Sequence, residues 1–165
     1  MDTVYLAVGS NIAPRENIPA AIALLREHVT VTAISSVYRT PPTGYLDQDD
    51  FYNLALAVQT DRDPEGLRAL LDQIEHALGR VRVKGNKAAP RTIDLDIALW
   101  GSRAFTYTDR PRRVPHPDIL AFAHTAVPLA ELAPDYVHPT DGRTLRAIAA
   151  SLPTDNFVQL DFKPE

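Results

Sequence analysis

Cysteine is absent from the 165 residues, which excludes disulfides, thiol nucleophiles and cysteine-ligated zinc, and fits a reducing compartment. No apolar run approaches the roughly 20 residues of a membrane-spanning helix, so no membrane partner is expected. The first residues, MDTVYLAVGSN, carry neither the basic nor the long apolar segment of a secretory signal, and a cytoplasmic location is expected. A phosphate loop of the form G-x-x-x-x-G-K-[ST] is missing too, so a bound nucleotide would have to be held by other means. Cations are not in excess: 17 Lys and Arg against 21 Asp and Glu give a formal net charge of −4, which argues against general nucleic-acid affinity. What is present is 45% hydrophobic and 23% charged residues, ordinary for a globular chain and sufficient for one domain over 1–165.

The cations that do occur are unevenly placed. Arg80, Arg82, Lys84, Lys87, Arg91, Arg103, Arg110, Arg112 and Arg113 are nine of the 17, within about a fifth of the chain. A local basic segment in an acidic chain suits a small polyanion; a solvated basic loop accounts for the charges equally well.

Periodicity supplies the elements. Val4 to Gly9 alternates as a strand, and Asn17 to His28 repeats at helical spacing through Ile18, Ile22, Leu25 and Val29. Val29 to Tyr38 is β-branched and reads as a second strand, and Phe51 to Thr60 as a third. Asp63 and Pro64 open a second helix, striped by Leu67, Leu70, Leu71, Ile74 and Leu78 and closed by Gly79. A strand follows over 90–101. The remainder is loop-rich, with short helices expected near 117–123 and 143–151 and a terminal strand in NFVQLDF. The order βαββαβ predicts an α+β ferredoxin-like sandwich, a mainly antiparallel sheet with helices on one face. The polar connections 40–50 and 80–90 are longer than usual and are the places to look for function.

The strand PRTIDLDIALWG places Ile93, Leu95, Ile97 and Leu99 on one face and Thr92, Asp94 and Asp96 on the other. The two carboxylates project together, roughly 6.6 Å apart along the strand. A bare D-x-D is more often the polar face of a half-exposed strand than a ligand pair. Here Arg91 lies just upstream, and RRVPHP adds Arg112, Arg113 and His116. Hard oxygen pairs suit Mg²⁺, which is commonly completed by water and substrate phosphates, and arginines would hold the rest of a nucleotide. Phe51 and Asn53, two apart on a strand, could stack on a flat heterocycle and pair with its edge, although a strand Phe is more often core.

An ordered set of segments carries a resemblance over nearly the whole chain: AVGSNI, SSVYRTPPTG, DDFYNLALAVQT, IEHALGRVR, PRTIDLDIALWG, VPHPDI and VPLAEL. Together they resemble the 6-hydroxymethyl-7,8-dihydropterin pyrophosphokinase family of folate biosynthesis. The resemblance implies an ATP-dependent pyrophosphokinase that transfers the terminal pyrophosphate of ATP to the pterin's hydroxymethyl group and releases AMP. By it, Asp94 and Asp96 hold two Mg²⁺ ions, and Arg80, Arg82 and Arg91 neutralise the phosphates, with His116 beside them. Glu75 and Ile97 border the nucleoside, and Thr40, Pro42, Thr43, Phe51 and Asn53 line the pterin pocket. The sequence departs from the family pattern at KAAPR (87–91), where RWGPR is usual. It departs again where Phe122 and His124 replace the arginine and the second stacking Phe of R-x-F. His124 can still stack on the pterin, and Arg112 or Arg113 could replace the lost cation.

Three other readings are compatible with these residues. A divergent paralogue would act on a modified pterin. A non-catalytic pterin- or nucleotide-binding relative is disfavoured because both aspartates and the phosphate arginines are present. An RNA-binding sheet lacks the aromatic platform that it would need. A monomer is the slightly favoured oligomeric state.

Overall fold

In the computed structural model, which describes residues 1–81, 84–86 and 88–165, strand alternation sets the layers. Arg82, one of the sequence-derived phosphate candidates, lies outside the described residues. β1 (Thr3–Ser10) sends Val4, Leu6 and Val8 into the main core and turns Tyr5 and Ala7 to the opposite face. α1 (Pro14–Arg26) starts three residues before the expected Asn17, because Pro14 occupies the first turn, where a missing N–H costs no hydrogen bond. It buries Ile18, Ala21, Ile22 and Leu25.

The expected strand over 29–38 is two strands, β2 (Thr30–Ile34) and β3 (Val37–Thr40), both antiparallel to β4 (Phe51–Gln59). The break falls at Ser35, whose hydroxyl accepts from the Ala55 N–H at 2.8 Å and so takes a place in the ladder. α2 (Pro64–Ala77) is capped by Asp63, which accepts from the Gly66 N–H at 2.7 Å, and buries Leu67, Leu70, Leu71 and Ile74. Gly79, at φ +79°, takes the left-handed turn that ends it.

β5 (Asp94–Trp100) corrects the simple two-faced strand. Its register against β1 shifts between Tyr5 and Leu6, so that Leu6 faces Ile97 while Tyr5 faces Leu99. The extra residue, Ala98, turns Leu99 to the far face and returns Trp100 to the face of Leu95 and Ile97. β6 (Phe105–Tyr107) and β7 (Arg112–Val114) form a separate hairpin. α3 (Asp118–Ala121), α4 (Ala123–Leu132), α5 (Leu145–Ala150) and β8 (Val158–Leu160) complete the chain. Where one short helix was expected over 117–123, two occur, and α4 continues through Pro128 to Leu132. Helical spacing is hard to see there because α4 is apolar on most sides.

The main sheet is antiparallel in order β5-β1-β4-β3-β8, with β2 also on β4. α1 and α2 cover one face. The expectation of helices on one face only is corrected: α4 packs on β4, and α3 to α5 bury a second cluster of Ala55, Leu99, Ile119, Ala126, Leu129, Leu145 and Ile148 on the other. Each fully buried Leu or Ile contributes about 1.5–3 kcal/mol. This second layer leaves the end of the far face near Gly9 uncovered, and a cavity of about 240 Å³ opens there.

Candidate active site

Register brings the two sequence constellations together. Gly9 of β1 pairs with Asn53 of β4 on one side and with Asp94 of β5 on the other. Ala7 pairs likewise with Ala55 and Asp96. Phe51, Asn53, Asp94 and Asp96 therefore line one cavity, with Thr40, Thr43 and Arg91. The adjacent proline in the lining is Pro41 rather than the expected Pro42.

The two carboxylates meet different surroundings. Asp94 accepts from Arg80 at 3.0 Å and Arg91 at 3.1 Å; burial alone would raise its pKa, but the two guanidinium groups hold it below the ordinary carboxylate value. Around Asp96 the cations stand farther off, with Arg68 and Arg112 at 3.8 and 4.0 Å, and the His116 ring lies at 3.9 Å. Burial and the neighbouring charge of Asp94 push its carboxyl up to about 7. Among the described residues, no three His, Asp or Glu groups form a ready metal cage. Two hard carboxylates on one strand face still fit a divalent cation that keeps open positions for water and phosphate oxygens.

His116 Nδ1 accepts from the Asp118 N–H at 3.1 Å, so Nε2 of the neutral ring carries the proton, on the side facing Asp96. Burial lowers the His116 pKa, which keeps the ring neutral near pH 7. Arg112 reaches toward Asp96 and lines a second recess with Arg80, Arg110, Asp72, His76 and Glu75. Arg113, the next residue on β7, is exposed and is not brought into either recess. Glu75 is 3% exposed: it accepts from the Leu95 N–H at 2.9 Å and pairs with Arg80 at 2.8 Å. Ile97 is in the main core and lines neither recess.

Opposite the carboxylates, Asn53 donates from Nδ2 to the buried Thr40 hydroxyl at 2.7 Å, which fixes the carboxamide orientation. The Arg91 guanidinium lies 5.6 Å from the Phe51 ring centroid, so Arg91 touches both walls. His124 lines the cavity and stacks on Phe122 at 5.1 Å with 14° between the planes. One face of the imidazole is thus occupied by Phe122, and burial lowers its pKa.

Several contributors escaped the sequence reading. Arg68, almost fully buried on α2, donates to the Leu95 carbonyl at 2.7 Å and pairs with Asp72 at 2.8 Å. Its signal was present: Arg68, Asp72 and Glu75 recur at i, i+4 and i+7, a charged stripe beside the leucines. Asn11 ties the two long loops to β1. Its Nδ2 donates to Gln48 Oε1 at 2.7 Å and the Asp49 carbonyl at 3.0 Å, and its Oδ1 accepts from the Arg91 N–H at 2.9 Å. Gln48 in turn donates to the Ala88 carbonyl at 2.7 Å. No pattern in the sequence marks those contacts.

The family model described as 7,8-dihydro-6-hydroxymethylpterin-pyrophosphokinase matches residues 5–134. A Bacillus subtilis protein named 2-amino-4-hydroxy-6-hydroxymethyldihydropteridine pyrophosphokinase is 44% identical over 131 residues, covering 78% of this chain and 76% of its own. A Pseudomonas aeruginosa protein of the same name is 40% identical over 161 residues, covering 95% and 96%. Among solved structures, a Plasmodium falciparum HPPK-DHPS superposes with a TM-score of 0.75 at 13% identity. That match covers 91% of this chain and 45% of the longer one and speaks to fold alone. With its carboxylate pair and carboxamide wall flanking one strand, the chain belongs to the 7,8-dihydro-6-hydroxymethylpterin-pyrophosphokinase family.

Proposed function

We propose that this chain transfers the pyrophosphoryl group of ATP to the hydroxymethyl group of 6-hydroxymethyl-7,8-dihydropterin, in tetrahydrofolate biosynthesis, from a single domain with a ferredoxin-like βαββαβ core. The observation that carries the reading is the placement of Asn53 and Asp94 on either side of Gly9, which puts a heterocycle wall and a cation-binding pair within one cavity. In the reaction, the pterin hydroxyl oxygen gives up its proton to solvent and bonds to the β-phosphorus while the bond from that phosphorus to the α,β-bridging oxygen breaks. AMP leaves with the electron pair.

Two Mg²⁺ ions held by Asp94 and Asp96 would neutralise the triphosphate and align it for in-line transfer. The chain's own groups do the rest. Asn53, fixed by Thr40, reads the pterin edge, and Phe51 and His124 face the ring, with Thr43 and Pro41 at the rim. Arg80, Arg82, Arg91 and Arg112 supply phosphate-binding charge, and His116 offers its Nε2 proton. Arg91 bridges the two halves and is placed to meet charge that builds during transfer. Glu75, anchored on Leu95, orients Arg80 at the nucleotide recess, with Ile97 packed behind it in the core.

Incubation with Mg²⁺, ATP and 6-hydroxymethyl-7,8-dihydropterin, followed by chromatography of nucleotides, is expected to show AMP formed in step with pterin consumption. Absence of pterin-dependent AMP overturns the reading. A second reading, a modified pterin as the substrate, is favoured by one feature: the His124–Phe122 stack gives the cavity wall a nitrogen-bearing ring.

A further inference from the structure

The geometry points to Gly9 as a positioning residue that sets the depth of the ring slot and holds a flat heterocycle level between Asn53 and the carboxylate pair. This rests on the pterin reading of the cavity. Gly9 lies within an eight-residue strand, where glycine weakens pairing and contributes no packing. Its backbone is not in the positive-φ region where Gly44, Gly79, Gly85, Gly101 and Gly142 sit, so conformation does not demand glycine here. Space does. A Cβ at residue 9 would stand 3.0 Å from Asn53 Oδ1 and 3.8 Å from Phe51 Cδ1.

Asn53 has little freedom to retreat, because its Nδ2 donates to the buried Thr40 hydroxyl at 2.7 Å. The next residue on the same face, Ala7, carries only a methyl group between Ala55 and Asp96. β1 is thus the floor of a trough whose walls are Asn53 on one side and Asp94 and Asp96 on the other. A methyl group at position 9 would raise that floor and displace the carboxamide by a few tenths of an ångström. The ring would then tilt, and its hydroxymethyl arm would move off the line toward the carboxylates. The second recess, lined by Asp72, His76 and Arg110 among others, does not include Gly9 and should be unaffected.

The test compares Gly9→Ala, Asn53→Ala and the double variant with wild type. Pterin affinity is titrated in the presence of Mg²⁺ and a non-hydrolysable ATP analogue, and analogue affinity is measured without pterin. Gly9→Ala is expected to weaken pterin about tenfold, the worth of one hydrogen bond, with analogue affinity unchanged within about twofold. In the Asn53→Ala background the added methyl meets no carboxamide and only the raised floor remains, so Gly9→Ala should cost clearly less there than in the protein that keeps Asn53. That comparison also decides the matter should Gly9→Ala alone fail to fold. Wild-type pterin affinity in Gly9→Ala, or penalties that simply add in the double variant, would overturn the role of Gly9 while leaving the pyrophosphokinase reading intact. A wild-type protein that binds no pterin overturns that reading and this one with it.

Discussion

Asp94 and Asp96 share one strand face, yet their surroundings drive them apart: two arginines keep the first ionised, while burial and that first charge hold a proton on the second up to about pH 7. Holding a cation there would require Asp94 to loosen its pairs with Arg80 and Arg91 and Asp96 to give up its proton. Replacing either by Asn leaves one ligand short, and several kcal/mol of transition-state stabilisation should go with it. The expected result is a fall in AMP formation of at least about 10²-fold at saturating ATP, with an unchanged far-ultraviolet circular dichroism spectrum. Near-normal turnover in either variant would remove the metal assignment. His124 poses a finer question, since Phe122 already covers one side of its ring. If the other side only stacks on the pterin, His124→Phe should tighten pterin binding, by about 0.5–1.5 kcal/mol and hence several-fold at most. Weaker binding in that titration would show a polar contact that Phe cannot make, as the modified-pterin reading requires.

The connections between elements were legible as long and polar, but not as joined. Residues 40–50 and 80–90 stand out by length and composition, whereas their meeting through Asn11, Gln48 and Ala88 depends on three segments far apart in the chain. Strand and helix faces were readable because they repeat with periods of 2 and 3.6 residues. β5 shows where that ends: a bulge at Ala98 leaves no mark in an apolar run, so Leu99 was placed on the wrong face. The site followed the same division. Asp94, Asp96, Phe51 and Asn53 stand out by local spacing and line one cavity, while Gly9 and Arg68 meet partners that only the register reveals. Gln48→Ala tests the loop junction. It removes the bonds to Asn11 and to the Ala88 carbonyl, so residues 41–50 should become more sensitive to limited proteolysis. Loss of about 0.5–1.5 kcal/mol per hydrogen bond should loosen the loops rather than unfold the core. Unchanged cleavage kinetics would mean that Pro41 and the backbone hold the loop without Gln48.

At the scale of the whole molecule, the sheet is stabilised by two apolar layers, and the far layer stops short of Gly9, where a row of small residues and two carboxylates faces the cavity. Function there works against stability, because an ionised Asp96 beside Asp94 is unfavourable in the metal-free fold. The sign follows from linkage. Asp96 holds its proton up to about pH 7 when folded but titrates near 3.8 when unfolded, so the folded state binds the additional proton between those values. Its contribution is fully present below about pH 3.8, shrinks as pH rises through that window, and is lost above about pH 7. Buried Glu75 is shifted in the same direction and adds to the trend. Asp94 is shifted downward, and its opposite contribution changes only below its ordinary value. Without divalent cations, the melting temperature of wild type relative to that of Asp96→Asn should therefore fall between pH 5 and pH 8, the downward-shifted His116, His124 and His138 opposing the trend in both proteins. At pH 8 the variant should be the more stable, by about 2–4 °C for each kcal/mol of repulsion relieved. Added Mg²⁺, which prefers the ionised pair, should raise the wild-type melting temperature most at pH 8 and barely move that of the variant. Parallel pH profiles for the two proteins, with Mg²⁺ stabilising both alike, would show that Asp96 is already ionised in the metal-free fold and that the cation binds elsewhere.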